Sequence, residues 1–277
     1  MLIIIELKDT KYREISMDVF SRQDPWSAFE AEEELRVQPH KATHRCRDRA
    51  TQKAFVLETF ALAALPPRIA RKIEEEIQRH SQTAVEGLAA VRRAFAFDAE
   101  GGARIAVASK FDSGKPLKTI VAVKKYFPRE SEPFEQMRQS AAVVAALHSR
   151  GGVHGDISLR SVFFKKSQSR TTLGRAQLRQ IDKWTQRPPF AAGSLPCPPE
   201  LARGLTAQAP ADVWQLGAVF LQMALGEDLE ERCGNAREAV AAEAARVTHP
   251  HLRDLLRRML HQHPTQRPTM QQVIQLL

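Results

Sequence analysis

A short loop in the second half of the chain carries residues that can take part in proton transfer. In the stretch VHGDISLRS, His154 and Asp156 flank a glycine directly after a segment with helical periodicity. An aspartate held in such a loop can accept the proton of a hydroxyl, which is the task of a general base. A second aspartate, Asp182, follows a short apolar run and is a candidate metal ligand. The surrounding residues decide whether the loop is a working site or the remnant of one.

The composition describes a folded protein and excludes several classes. The chain has 277 residues, of which 43% are hydrophobic and 26% charged, enough for an ample core. The run MLIII at the start is soon followed by charged residues, so we recognise neither a transmembrane span nor a signal peptide. Basic residues giving a net charge of +9 are scattered among 32 acidic ones, so we expect no nucleic-acid partner. The three cysteines have no metal-ligand spacing, and no metal site is expected from them.

Strand-like patterns come first along the chain. The stretch ATHRCRDRATQKAFVLETFAL predicts a hairpin. Two prolines then precede RIARKIEEEIQRHSQTAVEGL, which predicts a long helix with isoleucines on one face. The runs AFAFDAE, ARIAVASKF and TIVAVKKYF predict further strands.

Helical periodicity dominates afterwards, most clearly in ADVWQLGAVFLQMALG and HLRDLLRRMLHQH. Strands early and helices late predict an α+β protein with two lobes. We assign an N-terminal extension to residues 1–29, a small β-rich lobe with one long helix to residues 30–127, and a larger helical lobe to residues 128–277. Asp24, Pro25 and Trp26 are expected to pack on the small lobe.

Five motifs occur in the order found in protein kinases. HGDISLRS resembles the catalytic loop H-R-D-x-x-x-x-N, QIDKW resembles the strand and D-F-G motif after it, and CPPEL resembles the A-P-E segment. ADVWQLGAVFLQMALG is similar to the buried helix that begins D-V-W-S-x-G, and MLHQHPTQRPTMQQVI to the closing R-P-T helix. The resemblance implies a two-lobed kinase-like fold with Asp156 at the position of the catalytic base.

The same resemblance implies two structural contacts in the larger lobe. Asp212, at the start of the buried helix, would accept backbone N–H bonds from the His154–Gly155 turn, because buried donors of a strained loop need acceptors. Glu200 would pair with Arg267, and breaking such a half-buried pair from one side costs several kcal/mol.

The stretch VAVKK, residues 121–125, looks like the V-A-I-K strand whose lysine grips ATP phosphates. Only 32 residues (156 minus 124) separate Lys124 from Asp156. A kinase places a helix, two strands and two further helices in this interval, which needs at least roughly 60 residues. We therefore interpret TIVAVKKYFPR as the last strand of the small lobe, with Lys124 and Lys125 as ordinary charges.

The lysine position falls instead in KAFVLETF, where the residue is Glu58. A carboxylate there repels phosphate. We expect Glu58 to point into the cleft from a central strand and to contact Arg71, Lys72 or another basic side chain. The preceding strand and turn, EEELRVQPHKATHRCRD, contain no glycine and so lack the usual phosphate-binding loop.

Other kinase positions are also altered. Ser161 stands where the metal-binding asparagine belongs, and Gly155 replaces the arginine of H-R-D. Asp182 keeps the magnesium position of D-F-G, followed by Lys183 and Trp184 in place of phenylalanine and glycine. The loop thus keeps its shape while most of the phosphoryl-transfer residues are replaced.

Three features indicate which group of kinases the chain resembles. They are HGD in place of H-R-D, a glycine-poor nucleotide loop, and a chain rich in Ala and Arg. With them the chain resembles the secreted rhoptry and dense-granule kinases of apicomplexan parasites, in particular their pseudokinase branch, over roughly residues 30–277. That family implies a secretory route and action in the rhoptry, dense granule, parasitophorous vacuole, cyst wall or host cell. In an oxidising route Cys197 and Cys233 are candidates for a disulfide across the larger lobe.

Two functional classes remain open. The first is an inert kinase-like module that binds a partner protein, needs no cofactor and has a degenerate nucleotide site. The second is an atypical active Ser/Thr kinase that uses Mg-ATP, with Asp156 as base, Asp182 as metal ligand and Lys41 or Lys53 in the role of the missing lysine. A third, remote class is a basic surface-binding protein that keeps the fold as a scaffold.

Overall fold

The computed structural model describes residues 20–38, 41–62, 65–83, 85–100, 102–110, 114–122, 131–178, 180–181, 197–229, 233 and 237–277. The strands in these residues are β1 (Phe20–Ser21), β2 (Phe29–Gln38), β3 (Lys41–Asp48), β4 (Ala54–Ala61), β5 (Val91–Ala99), β6 (Gly102–Lys110), β7 (Lys115–Pro116), β8 (Val162–Lys165) and β9 (Arg170–Leu173). The helices are α1 (Pro67–Gln82), α2 (Leu117–Ala122), α3 (Ser131–His148), α4 (Pro199–Ala202), α5 (Ala209–Leu225), α6 (Arg237–Glu243), α7 (Pro250–Met259) and α8 (Met270–Leu276).

The small lobe is built on a six-stranded sheet with the order β1-β5-β6-β4-β3-β2. The predicted hairpin is confirmed as β3 and β4, which pair antiparallel. Asp48 closes its turn by accepting the backbone N–H of Thr51 at 2.7 Å. β4 also pairs with β6, so it lies in the interior of the sheet with a hydrogen-bonded neighbour on each side. The strands predicted at AFAFDAE and ARIAVASKF are confirmed as β5 and β6.

The predicted long helix is confirmed as α1, with proline at its first turn. Its apolar face carries Ile73 and Ile77, both fully buried against Phe60 and Val107 of the sheet. Trp26 lies by the sheet's own apolar cluster around Phe29, Cys46 and Leu57. Its ring meets His44 edge-on, with 5.3 Å between ring centroids. The sheet is thus packed on two separate apolar clusters.

The prediction of a strand at TIVAVKKYF is wrong for residues 119–122, and the rest of this stretch lies outside the described residues. Residues 117–122 form the helix α2, and Leu117 and Val121 are buried in the core of the large lobe. A short apolar run fits a buried strand and a buried helix equally well, and here the four-residue spacing of these two side chains decides in favour of the helix. β6, which ends at Lys110, is therefore the last strand of the six-stranded sheet along the chain. Lys124 and Lys125 lie outside the described residues.

The large lobe is organised around α5, whose side chains from Ala211 to Met223 are buried. A Cβ added at Gly217 would lie 2.9 Å from Cβ of Met259, so the glycine lets α5 and α7 approach closely. A small sheet of order β7-β8-β9 borders this helical core. None of the helices in the described residues is long and apolar enough to cross a membrane.

Cys46, Cys197 and Cys233 are thiols in this structure. The disulfide between Cys197 and Cys233 depends on an oxidising route and stays a prediction. Cys197 packs with Leu201, Ala207 and Ala211, whereas Cys233 packs against the main core of the large lobe. The two side chains thus pack in different apolar clusters.

Candidate functional site

Asp212, in the first turn of α5, fixes the conformation of the loop with the sequence HGD. Its Oδ2 accepts the backbone N–H of His154 and its Oδ1 that of Gly155, both at 2.8 Å. His148 at the end of α3 lies 2.8 Å from the same Oδ2. Asp212 is fully buried, so these partners supply the stabilisation that water gives an exposed carboxylate. The contacts expected for Asp212 are therefore present.

Gly155 has the backbone conformation that the loop requires. Its φ is +76°, in the left-handed region that residues with a side chain rarely adopt. A Cβ at this position would lie 2.7 Å from Oε1 of Gln177. Glycine thus removes backbone strain where the kinase pattern has arginine.

His154 is buried and neutral. Its Nδ1 accepts the backbone N–H of Asp156 at 3.3 Å, so Nε2 carries the proton and donates to the carbonyl of Gly174 at 3.1 Å. Burial lowers the pKa of His154, although Asp212 and Asp156 act in the opposite direction. Asp156 itself is exposed. The histidine therefore shapes the loop, and the carboxylate faces solvent.

Ser161, at the position of the metal-binding asparagine, makes hydrogen bonds within the loop. Its Oγ accepts the backbone N–H of Ser158 at 2.8 Å and donates to the carbonyl of Asp156 at 2.9 Å. The hydroxyl stabilises the loop conformation, and the amide oxygen that would bind a metal is missing.

Glu200 and Arg267 form the predicted pair. Nη1 and Nη2 of Arg267 donate to the two carboxylate oxygens of Glu200 at 2.6 and 2.8 Å, and Nη1 also donates to the carbonyl of Pro210. Both side chains are buried. This bidentate ion pair joins α4 to the segment before α8.

Glu58 lies in β4, between Thr43 of β3 and Val107 of β6. It forms ion pairs with Lys41 and with Arg175, whose Nε donates to Oε2 at 2.5 Å. The expected contact with a basic side chain is present, but Arg71 does not provide it. Arg71 lies on the exposed face of α1 and pairs with Glu75 at 3.1 Å.

The Glu58 side chain is only 13% exposed. Burial alone would raise its pKa, but Arg175 and Lys41 lower it to about 2. Lys41 and Arg175 also lie over the ring of Phe60, at 5.2 and 5.7 Å from its centroid. Glu58 is consequently ionised at neutral pH and surrounded by two cations and an aromatic face.

The comparison with known families agrees with this geometry. A family model for the protein kinase domain matches residues 42–276. The chain belongs to the protein kinase domain family. No curated protein matches it.

The strand predicted at QI, before Asp182, is not present, and β9 is the strand that follows β8 along the chain. Residues 180–181 of the expected strand QI are helical, and Asp182, Lys183 and Trp184 lie outside the described residues. β9 pairs with β8 directly after the catalytic loop and ends at Leu173. The second residue after β9 is Arg175, which makes it an alternative candidate for the position of the D-F-G aspartate.

Sequence reasoning missed Arg175, although a signal was available. RTTL alternates polar and apolar residues close behind the catalytic loop and is a better candidate for the strand than QI. The search for a surviving aspartate led instead to Asp182. In the structure Arg175 forms an ion pair with Glu58.

Glu76 is the buried member of the three glutamates in α1, with 7% of its surface exposed. Its Oε2 accepts the backbone N–H of Gln180 at 2.8 Å. In an active kinase a glutamate of this helix pairs with the strand lysine. Here the buried glutamate holds backbone from the large lobe, and the strand residue has other partners.

Proposed function

We propose that this kinase domain is a pseudokinase: a protein-binding or scaffolding module with a degenerate nucleotide site. The observation that carries the proposal is the ion pair between Glu58 and Arg175, which we place at the lysine and aspartate positions. Both are nearly buried, at 13% and 11% side-chain exposure, so the pair is a fixed part of the cleft.

Neither Glu58 nor Arg175 can do what a kinase requires of its position, which is to bind phosphate and metal respectively. A carboxylate 4 Å from a phosphate charge is repelled by about 4 kcal/mol at an effective dielectric constant of 20. An arginine side chain has five N–H donors and no acceptor, so it cannot bind a metal ion. Ser161 supplies no amide oxygen to replace the lost ligand. We therefore expect neither phosphates nor magnesium to be held, and no cofactor.

The lineage and the partner belong to the same proposal. The HGD loop and the glycine-free strand before the hairpin support a place among the secreted rhoptry and dense-granule pseudokinases of apicomplexan parasites. Their compartments, from rhoptry to vacuole or cyst wall, are the proposed sites of action. The proposed partner is a protein, since the basic residues are scattered rather than gathered in one block.

One observation favours an atypical active kinase as the second candidate. The loop around Asp156 keeps its hydrogen bonds to Asp212 and exposes the carboxylate to solvent. In that case Asp156 is the base, Asp182 binds magnesium, and Lys41 serves the ATP phosphates. Lys41 does lie beside the lysine position, but its ammonium group pairs with Glu58.

A thermal-shift titration with Mg-ATP separates the two candidates. The pseudokinase should gain no more than about one degree at millimolar Mg-ATP, because a dissociation constant in that range stabilises by under about 0.5 kcal/mol. Magnesium chloride alone serves as the control for ionic effects. A rise of several degrees that saturates at micromolar nucleotide would overturn the proposal.

A further inference from the structure

A segment that leaves the large lobe enters the core of the small lobe. It consists of residues 175–178 and 180–181, which follow β9, and we name it the clasp. Leu178 and Ile181 are 1% and 0% exposed. They belong to the same apolar cluster as Ile73 and Ile77 of α1. The clasp thus completes the apolar packing against α1.

Polar contacts tie the clasp to the small lobe at two further points. Arg175 pairs with Glu58 of β4, and the backbone N–H of Gln180 donates to Glu76 of α1. At its start, the backbone N–H of Gln177 donates to the carbonyl of His154 at 2.7 Å. The clasp is therefore anchored in the catalytic loop, in the sheet and in α1.

An outward movement of α1 would break several of these contacts together. Ile73 and Ile77 would lose the apolar side chains of the clasp, and the buried Glu76 would lose the N–H of Gln180. In active kinases the position of the corresponding helix controls activity. Here such a movement exposes apolar surface and breaks the hydrogen bond between Glu76 and the backbone N–H of Gln180.

We propose that the clasp fixes α1 in one position and couples the two lobes, so that the module presents a single constitutive conformation to its partner. This inference rests on the proposed function, because it treats α1 as part of a partner-binding module and not as a switch of catalytic activity. It concerns the regulation of the same cleft, because the clasp, which contains Arg175, also prevents the movement of α1.

Hydrogen exchange across a urea series tests the coupling, with the amides of α1 reporting on the small lobe and those of α5 on the large lobe. In the wild-type chain both sets should lose protection at the same urea concentration. In Leu178→Ala and Ile181→Ala, α1 should lose protection at lower urea than α5. In native buffer the α1 amides of these variants should exchange at least about tenfold faster than in the wild type.

The matched control is Leu62→Ala, which truncates a buried side chain of the same cluster outside the clasp. It should shift the loss of protection in α1 and α5 together. Ile181→Val is a milder truncation that gives the same comparison if the alanine variants do not fold. Joint loss of protection in the clasp variants, or separate loss in the wild type, would overturn the proposal. No nucleotide is present, so this result is independent of the Mg-ATP titration.

Discussion

Replacing Glu58 with glutamine keeps the shape of the side chain and removes its charge. In the wild type this carboxylate pairs with Lys41 and Arg175, which are 19% and 11% exposed. Glu58→Gln leaves both cations facing a neutral amide in a site with little access to water. Breaking a buried pair from one side is strongly destabilising, by about 3–5 kcal/mol, because the remaining charge is uncompensated.

The pKa of Glu58 gives a second value for the free energy of unfolding that Glu58→Gln should lose. A fall from the ordinary value of 4.5 to about 2 corresponds to about 3 kcal/mol at 1.36 kcal/mol per unit. The folded state holds the ionised form more strongly than the unfolded chain does. The stabilisation is therefore complete above about pH 5 and disappears as the pH falls from 4.5 towards 2. The stability gap between wild type and Glu58→Gln should shrink over that range.

Urea unfolding at pH 7 and at several lower pH values measures this gap. The matched control is Glu75→Gln, which removes the exposed pair with Arg71 and should change stability by no more than about 0.5 kcal/mol. A Glu58→Gln variant within about 0.5 kcal/mol of the wild type at pH 7 would refute the reasoning. A gap that does not change between pH 5 and the acid limit would refute it equally.

Three further predictions concern groups outside this pair. Asp212→Ala leaves two buried backbone N–H groups without an acceptor and should lower the free energy of unfolding by about 3 kcal/mol in a urea titration. Arg267→Met strands the carboxylate of Glu200 and should cost about 3–5 kcal/mol, whereas the double variant with Glu200→Leu should recover much of that loss. Burial, with the charge of Glu32, raises the pKa of Cys46 to about 11. Iodoacetamide at pH 8 should therefore leave Cys46 unmodified and alkylate the partly exposed Cys233, and mass spectrometry measures both outcomes.

Features with a local physical cause could be predicted from the sequence. Alternating side chains and a polar turn indicated the β3–β4 hairpin, and isoleucines four residues apart behind two prolines indicated α1. The position of Glu58 in the interior of a sheet followed from that hairpin. The partners of Asp212 and of Arg267 followed from the order of the kinase motifs.

Features decided by distant contacts could not be predicted. Arg175 reaches Glu58 across 117 positions of sequence, so the strand-like RTTL can mark Arg175 along the chain but cannot show that it pairs with Glu58. The run TIVAVKKYF alone fits a strand or a helix, and the four-residue spacing that favours the helix α2 includes Leu117, which lies outside that run. A search for D-F-G by residue type finds Asp182, and only the position of β9 makes Arg175 a candidate.

A phosphotransfer assay with labelled γ-phosphate tests the pseudokinase proposal most directly. The wild-type chain and Asp156→Asn are each incubated with Mg-ATP and a generic basic protein substrate, and label incorporation is compared. The pseudokinase proposal predicts the same background signal in both samples, because the ion pair of Glu58 and Arg175 holds neither phosphate nor metal. Incorporation by the wild type that Asp156→Asn abolishes would contradict it.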